Sequence, residues 1–149
     1  MGPFPHNAPR AEITASNPAG TDGFEFVEFA HPDPAVLRTL FSSMGYSHVA
    51  NHKSKDVELW QQGDISYLIN SDPAGFATQF STEHGPCASA MAWRVADAQL
   101  AFKHAVDNGA EPFVDEGVAK TVDWPAIKGI GGSLIYFTDQ YFDLSLIHI

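Results

Sequence analysis

The feature that most constrains this sequence is that it repeats itself. Phe24, Phe26, Val27 and Phe29, with Glu25 and Glu28 between them, read as a strand. Asp33 is a helix cap and Pro34 suits a first helical position, where no N–H is needed. Val36, Leu37, Leu40, Phe41 and Met44 then recur at helical spacing, and Gly45 supplies a left-handed stop. Three extended runs follow, 46–52, 57–61 and 65–70, the last two joined by a turn at Gln62-Gly63-Asp64. The same order returns with a strand over 88–95, a cap at Asp97 and a stop at Gly109. Between cap and stop, Ala98, Ala101, Phe102, Ala105 and Val106 form a second helical stripe. Phe29, Asp33 and Gly45 each lie 64 residues before Trp93, Asp97 and Gly109; Ser66 and Asp72 match Ser133 and Asp139 at 67. Five matches in the right slots mark a duplicated strand–helix–strand–strand–strand unit. A unit of about 50 residues cannot bury both faces of its own sheet, so two such units must pack as halves of one domain. The expected fold is therefore α+β: two tandem βαβββ units, over about 24–72 and 88–139, in one domain spanning 23–143 with a mixed sheet and flanking helices.

Outside that domain the patterning fails. Residues 1–22 carry Pro3, Pro5, Pro9 and Pro18 with almost no apolar periodicity, and are expected to form a flexible tail. Composition then narrows the function. Of 149 residues, 44% are apolar and 17% charged, which excludes wholesale disorder. Eight Lys and Arg against 18 Asp and Glu leave a formal charge of −10, so nucleic acid is not an expected partner. No apolar run approaches the ~18–20 residues of a membrane span, and no signal-peptide pattern opens the chain. A lone cysteine, Cys87, precludes an internal disulfide and fits a cytoplasmic protein.

The candidate chemistry is sparse. His48 and His52 are four apart, but on the extended run expected there four residues span ~13 Å, too far to share one ion. His31, at the end of the first strand before Pro32, is the better ligand candidate, although a histidine positioned by a proline turn is the commoner case. A mononuclear Fe(II) or Zn(II) site needs two further convergent ligands. In a duplicated unit of this kind these would come from first and last strands, yet 65–70, 88–95 and 133–138 contain no His, Asp, Glu or Cys. Cys87 with His84 could form a thiol–base pair, but Pro86 separates them and no third orienting group is apparent. Gly129, Gly131 and Gly132 lead into a strand, whereas phosphate loops of that composition open a helix, so a bulge or close backbone approach is expected. Trp60, Trp93 and Trp124 read as core or interface aromatics, and Asp115, Glu116 and Asp123 as a solvated acidic edge. No catalytic, cofactor-binding or metal-ligating residue is assigned.

Three stretches nevertheless carry a specific resemblance: residues 61–70 (QQGDISYLIN), 84–95 (HGPCASAMAWRV) and 125–136 (PAIKGIGGSLIY). The duplicated unit resembles the vicinal oxygen chelate architecture of glyoxalase-like enzymes, extradiol dioxygenases and bleomycin-resistance proteins. In order and spacing, the three stretches are similar to bacterial 4-hydroxyphenylpyruvate dioxygenases over about residues 23–139. The resemblance implies that this chain is the amino-terminal, metal-free half of such an enzyme. A carboxy-terminal catalytic domain would hold Fe(II) on two histidines and a glutamate, bind the aromatic keto acid and use O₂ to form homogentisate in tyrosine breakdown. It implies an inactive fragment whose partners are that domain and, in a homo-oligomer, other subunits. 4-Hydroxymandelate synthase shares the substrate, and residues choosing between the outcomes would lie beyond this chain. Residues 144–149 (LSLIHI) depart from the family pattern and resemble a translated sequencing adapter, so a non-native extension is expected there and His148 is given no role as a ligand. Two other readings are a stand-alone, metal-free module binding a small aromatic molecule, and a glyoxalase-type metalloenzyme using His31.

Overall fold

The computed structural model describes residues 10–115 and 117–140. Residues 1–9 of the expected tail, Glu116, the 144–149 extension and His148 lie outside the described residues. The element order is β1 (Thr21–Ala30), α1 (Pro34–Ser43), β2 (Ser47–Asn51), β3 (Val57–Gln62), β4 (Ile65–Asn70), α2 (Phe76–His84), β5 (Cys87–Val95), α3 (Ala98–Asp107), β6 (Ala126–Lys128) and β7 (Leu134–Thr138).

These strands form one mixed sheet in the order β2-β3-β4-β1-β5-β7-β6. Read outward from its middle, the sheet shows the duplication directly. β1 and β5 pair antiparallel, and each is flanked by the last strand of its own unit in parallel, β4 and β7. In the central pair Phe26 faces Ala92, Val27 faces Met91 and Glu28 faces Ala90. Residues 64 apart therefore exchange places about a local two-fold near Val27 and Met91, so the spacing read from the caps also holds in the register. The closing strands require a correction. Val27 pairs with Tyr67, and its counterpart Met91 pairs with Ile135, so the spacing there is 68 and not 67. A one-residue slip matters because it exchanges the two faces of a strand. Leu68 and Tyr136 are the true equivalents, and both lie in the same buried cluster.

The second unit is also shorter by a strand. Where a counterpart of β2 would lie along β6 there is only a bridge between Pro112 and Ile127, with Phe113 N donating to Ala126 O (2.9 Å) and Lys128 N to Glu111 O (2.8 Å).

α1 and α3 cover one face of the sheet. Asp33 caps α1 by accepting from Ala35 N at 3.0 Å, and Asp97 caps α3 by accepting from Leu100 N at 2.8 Å. Leu37 and Phe41 pack on Tyr46, Trp60 and Ile69. Ala98 and Ala101 lie against Val95, Ile127 and Phe137, their small side chains allowing close approach. The α1 stripe is narrower than its spacing suggests: Val36, Leu40 and Met44 stay almost half exposed.

Helix α2 was not expected. Its start, Gly75, makes no side-chain cap, and its buried positions are the small Ala77 and Ser81, so neither a cap nor a strong apolar stripe announces it. It packs on the face opposite α1 and α3, where Phe76 meets a cluster built from Phe26, Val57, Leu59, Leu68, Ala90, Ala92, Ala126, Leu134 and Tyr136. Phe113, Val122 and Trp124 from the segment before β6 complete that layer.

From residue 10 the expected tail is held against the domain. Asn17 Oδ1 accepts from Thr21 N (2.9 Å), Ala96 N donates to Gly20 O (2.8 Å), and Gly20 is buried. Among the described residues no helix is long and apolar enough to cross a membrane.

Candidate functional site

The face of the sheet under α2 holds the most unusual chemistry of the described residues. Glu28, in the middle of β1, has no exposed surface at all. A register shift between Glu28–Ala90 and Phe29–Ala88 leaves Ser89 as an extra residue on β5, and this bulge aims Ser89 Oγ at Glu28 Oε1, 3.1 Å away. Asn70 at the end of β4 donates through Nδ2 to Thr121 Oγ1 (2.9 Å), and Thr121 N donates to the Tyr136 hydroxyl (3.4 Å). Lys55 fastens this segment from outside, donating to Thr121 O at 3.1 Å and to Lys120 O.

Burial pushes the Glu28 carboxyl well above its ordinary range, opposed by hydrogen bonds from Thr121, Ser89 and Asn70 and by the Lys55 charge. Its Oε2 has no hydrogen-bond partner. Burial, with the neighbouring Glu28 charge, likewise pushes the Tyr136 phenol up. Toward the other end of the same two strands Arg94 Nε meets Glu25 Oε2 at 2.6 Å, both side chains largely buried.

A non-haem iron site would need a different donor set from the one gathered here. Such a site needs two imidazoles and a carboxylate on one face, with open positions for substrate. Around Glu28 stand hydroxyls, an amide and a phenol, already bonded to one another, under a layer of Phe26, Leu68 and Trp124. Trp124 stacks on Phe26 at 6.0 Å. One carboxylate without an imidazole does not fit Fe(II), and among the described residues no group of three or more His, Cys, Asp and Glu is placed to hold an ion. The cluster is a hydrogen-bonded core that ties β1, β4, β5, β7 and the 119–124 segment together. Its signal in the sequence is a glutamate flanked by Val27 and Phe29 on a strand that needs both faces buried.

The residues singled out by sequence lie apart. His31 accepts from Asp33 N at 2.8 Å and borders a cavity of about 280 Å³ shared with Asn70, Thr78 and Ser81. His48 lies on β2 with its ring tilted against Trp60, centroids 5.4 Å apart, and His52 follows the strand and accepts from the amides of Ser54 and Lys55. His84 ends α2, with Nδ1 3.0 Å from Phe80 O. Burial pushes the Cys87 thiol up, the opposite of what an activated nucleophile needs. The glycine cluster makes the turn from β6 to β7, with Gly131 at φ 66° and Gly132 at φ 84°; of the two expectations, the close approach is found at Gly129, where a Cβ would lie 3.0 Å from Ser133 Oγ and 3.1 Å from Ile135 Cδ1. Trp60 and Trp124 are core aromatics, whereas Trp93 packs on the half-exposed Phe24 at 4.5 Å. Asp115 and Asp123 are exposed.

The comparisons with known proteins agree with this geometry. A family model described as hydroxyphenylpyruvate dioxygenase, N-terminal, matches residues 15–148. The chain is 46% identical over 140 residues to hemolysin VllY of Vibrio vulnificus, covering 92% of this chain and 39% of that protein. It is 44% identical over 142 residues to the 4-hydroxyphenylpyruvate dioxygenase of Pseudomonas aeruginosa, covering 93% and 40%. Among solved structures, a xylose isomerase-like TIM barrel/4-hydroxyphenylpyruvate dioxygenase fusion protein superposes with a TM-score of 0.72 at 33% identity, covering 89% of this chain and 20% of that one. The chain thus spans about two-fifths of the length of these curated relatives. With its duplicated unit, its two-fold sheet and this match over most of its length, the chain belongs to the family of the amino-terminal, glyoxalase-like domain of hydroxyphenylpyruvate dioxygenase.

Proposed function

We propose that this chain is the amino-terminal, non-catalytic domain of a cytoplasmic, Fe(II)-dependent 4-hydroxyphenylpyruvate dioxygenase, and that it is inactive by itself. The observation that carries the reading is the family match over residues 15–148 in a chain two-fifths the length of its relatives. In the whole enzyme, iron would supply the oxygen chemistry from a further, carboxy-terminal domain. This domain's residues would supply none of its ligands. Their work would be structural: the layer over Glu28 fills the sheet face with side chains, giving a rigid body against which a catalytic domain and neighbouring subunits can be held. The donor set at Glu28, one carboxylate among hydroxyls, supports that division of labour.

A chimera tests the reading. Residues 10–140 of this chain replace the matching segment of the Pseudomonas aeruginosa enzyme, and O₂ uptake and homogentisate are measured beside the 149-residue chain alone. The expected result is turnover by the chimera and none by the chain. Turnover of 4-hydroxyphenylpyruvate by the isolated chain, or a well-folded chimera without activity, would overturn it.

A further inference from the structure

A second feature borders the layer over Glu28 at Phe76 and Phe113. Between α2 and residues 111–114 and 118, closed at one end by the β6–β7 turn, is a cleft of about 380 Å³. That volume is within the usual range of small-molecule sites. One wall is an aromatic column at successive turns of α2: Phe76 stacks on Phe80 (5.5 Å, 25° between planes), and Phe80 on His84 (4.1 Å, 19°). Phe113 meets Phe76 edge-on from the opposite wall at 5.6 Å. All three phenylalanines are half-buried: Phe76 and Phe113 also pack on the core layer, Phe80 lies between Phe76 and His84, and the remaining part of each ring borders the cleft.

The polar groups at the rim accept more than they donate. Among the described lining residues two carboxylates, Glu83 and Glu111, stand against one ammonium, Lys128, which Glu111 already meets at 2.5 Å. His84 Nδ1 lies on the Phe80 carbonyl, which can only accept, so in the neutral ring Nδ1 carries the proton and Nε2 is left as an acceptor. Aromatic walls with surplus negative charge attract organic cations, both through the ring faces and through the carboxylates. The net charge of −10 favours the approach of a cation and opposes that of an anion.

We propose that this cleft binds a small aromatic amine in its protonated form, with the ring against Phe76 and Phe80 and the ammonium at Glu111 and His84. The proposal stands independently of the dioxygenase reading, since it uses none of the buried polar residues around Glu28 and concerns the isolated chain.

Its test is a titration of the isotopically labelled 149-residue chain with tyramine, followed by amide NMR shifts, with tyrosine and 4-hydroxyphenylacetate as probes of the same ring carrying a zwitterionic and an anionic head. Saturable shifts confined to α2, 111–114 and the β6–β7 turn are expected with tyramine, with a Kd below about 1 mM. The order expected is amine tighter than zwitterion, and zwitterion tighter than acid. Glu111→Gln, on an exposed side chain, should weaken tyramine about tenfold while leaving the spectrum of the free protein otherwise unchanged. Phe80→Leu, which keeps the bulk and removes the ring face, should weaken all three probes. The absence of saturable shifts at about 5 mM, shifts centred elsewhere, or equal binding of the acid would each overturn the proposal.

Discussion

Replacing Glu28 by glutamine separates the shape of the buried cluster from its ionisation. The amide has nearly the size of the carboxyl, keeps an oxygen for the Ser89 hydroxyl 3.1 Å away, and cannot ionise. Its nitrogen takes the place of Oε2, which has no hydrogen-bond partner. The direction of the effect follows from linkage. Burial raises the folded-state pKa above the unfolded value near 4.5, so the native state holds a proton that the unfolded state has released. Stability on this account is full below the unfolded pKa and is lost as pH rises toward the folded one, by about 1.4 kcal/mol for each pKa unit between them. Glutamine has no charge to bury and so escapes this loss. Urea unfolding followed by tryptophan fluorescence should therefore give E28Q within about 1 kcal/mol of wild type near pH 4, and more stable by about 1–3 kcal/mol near pH 8. Parallel pH–stability curves for the two proteins, or a large loss in E28Q at both pH values, would refute the assignment of Glu28 as a carboxyl held neutral by burial.

Three further substitutions test other parts of the structure. Glu58 carries the opposite sign: against the cost of burying it, hydrogen bonds from Arg38 (2.8 Å from Nε) and Trp60 (3.0 Å) hold its carboxyl below the usual range. Its contribution is therefore present above the unfolded pKa and lost as pH falls through the folded one; because Arg38 is 43% exposed, E58Q should cost only about 1–2 kcal/mol at pH 7 by urea unfolding, a difference that vanishes in acid. Asp97→Ala removes the α3 cap and should lower stability by about 1 kcal/mol, with a matching fall in melting temperature. Gly20→Ala tests whether the residues before β1 are docked: a Cβ there would lie 2.8 Å from Ala96 Cβ at φ +63°, so a loss of about 1–3 kcal/mol is expected, where a free tail would show none.

Much of the architecture was legible in the residues because its signals are local. Asp33-Pro34 and Asp97 mark helix starts by a hydrogen bond made within three residues, and Gly63-Asp64 turns a hairpin by its own backbone conformation. The 64-residue spacing exposed the duplication, because the same local devices recur in both copies. Helix α2 escaped because its buried face is Ala77 and Ser81, which carry no apolar signal, and it is held by the sheet beneath it and not by its own propensity.

What the chain alone determined, then, was most of its elements, the doubled unit and, through three short stretches, the family. Only tertiary structure decided which residues meet. The spacing of the closing strands is set by hydrogen-bond register, where one residue exchanges the faces, and a matching pair of serines could not reveal that Leu68 and Tyr136 are the equivalents. Glu28, Ser89, Asn70, Thr121 and Tyr136 are scattered over more than 100 positions, and they converge because a bulge, two parallel strand pairs and a Lys55-fastened segment bring them together. A sequence read locally carries periodicity and caps; convergence of side chains across a sheet exists only once the strands are paired.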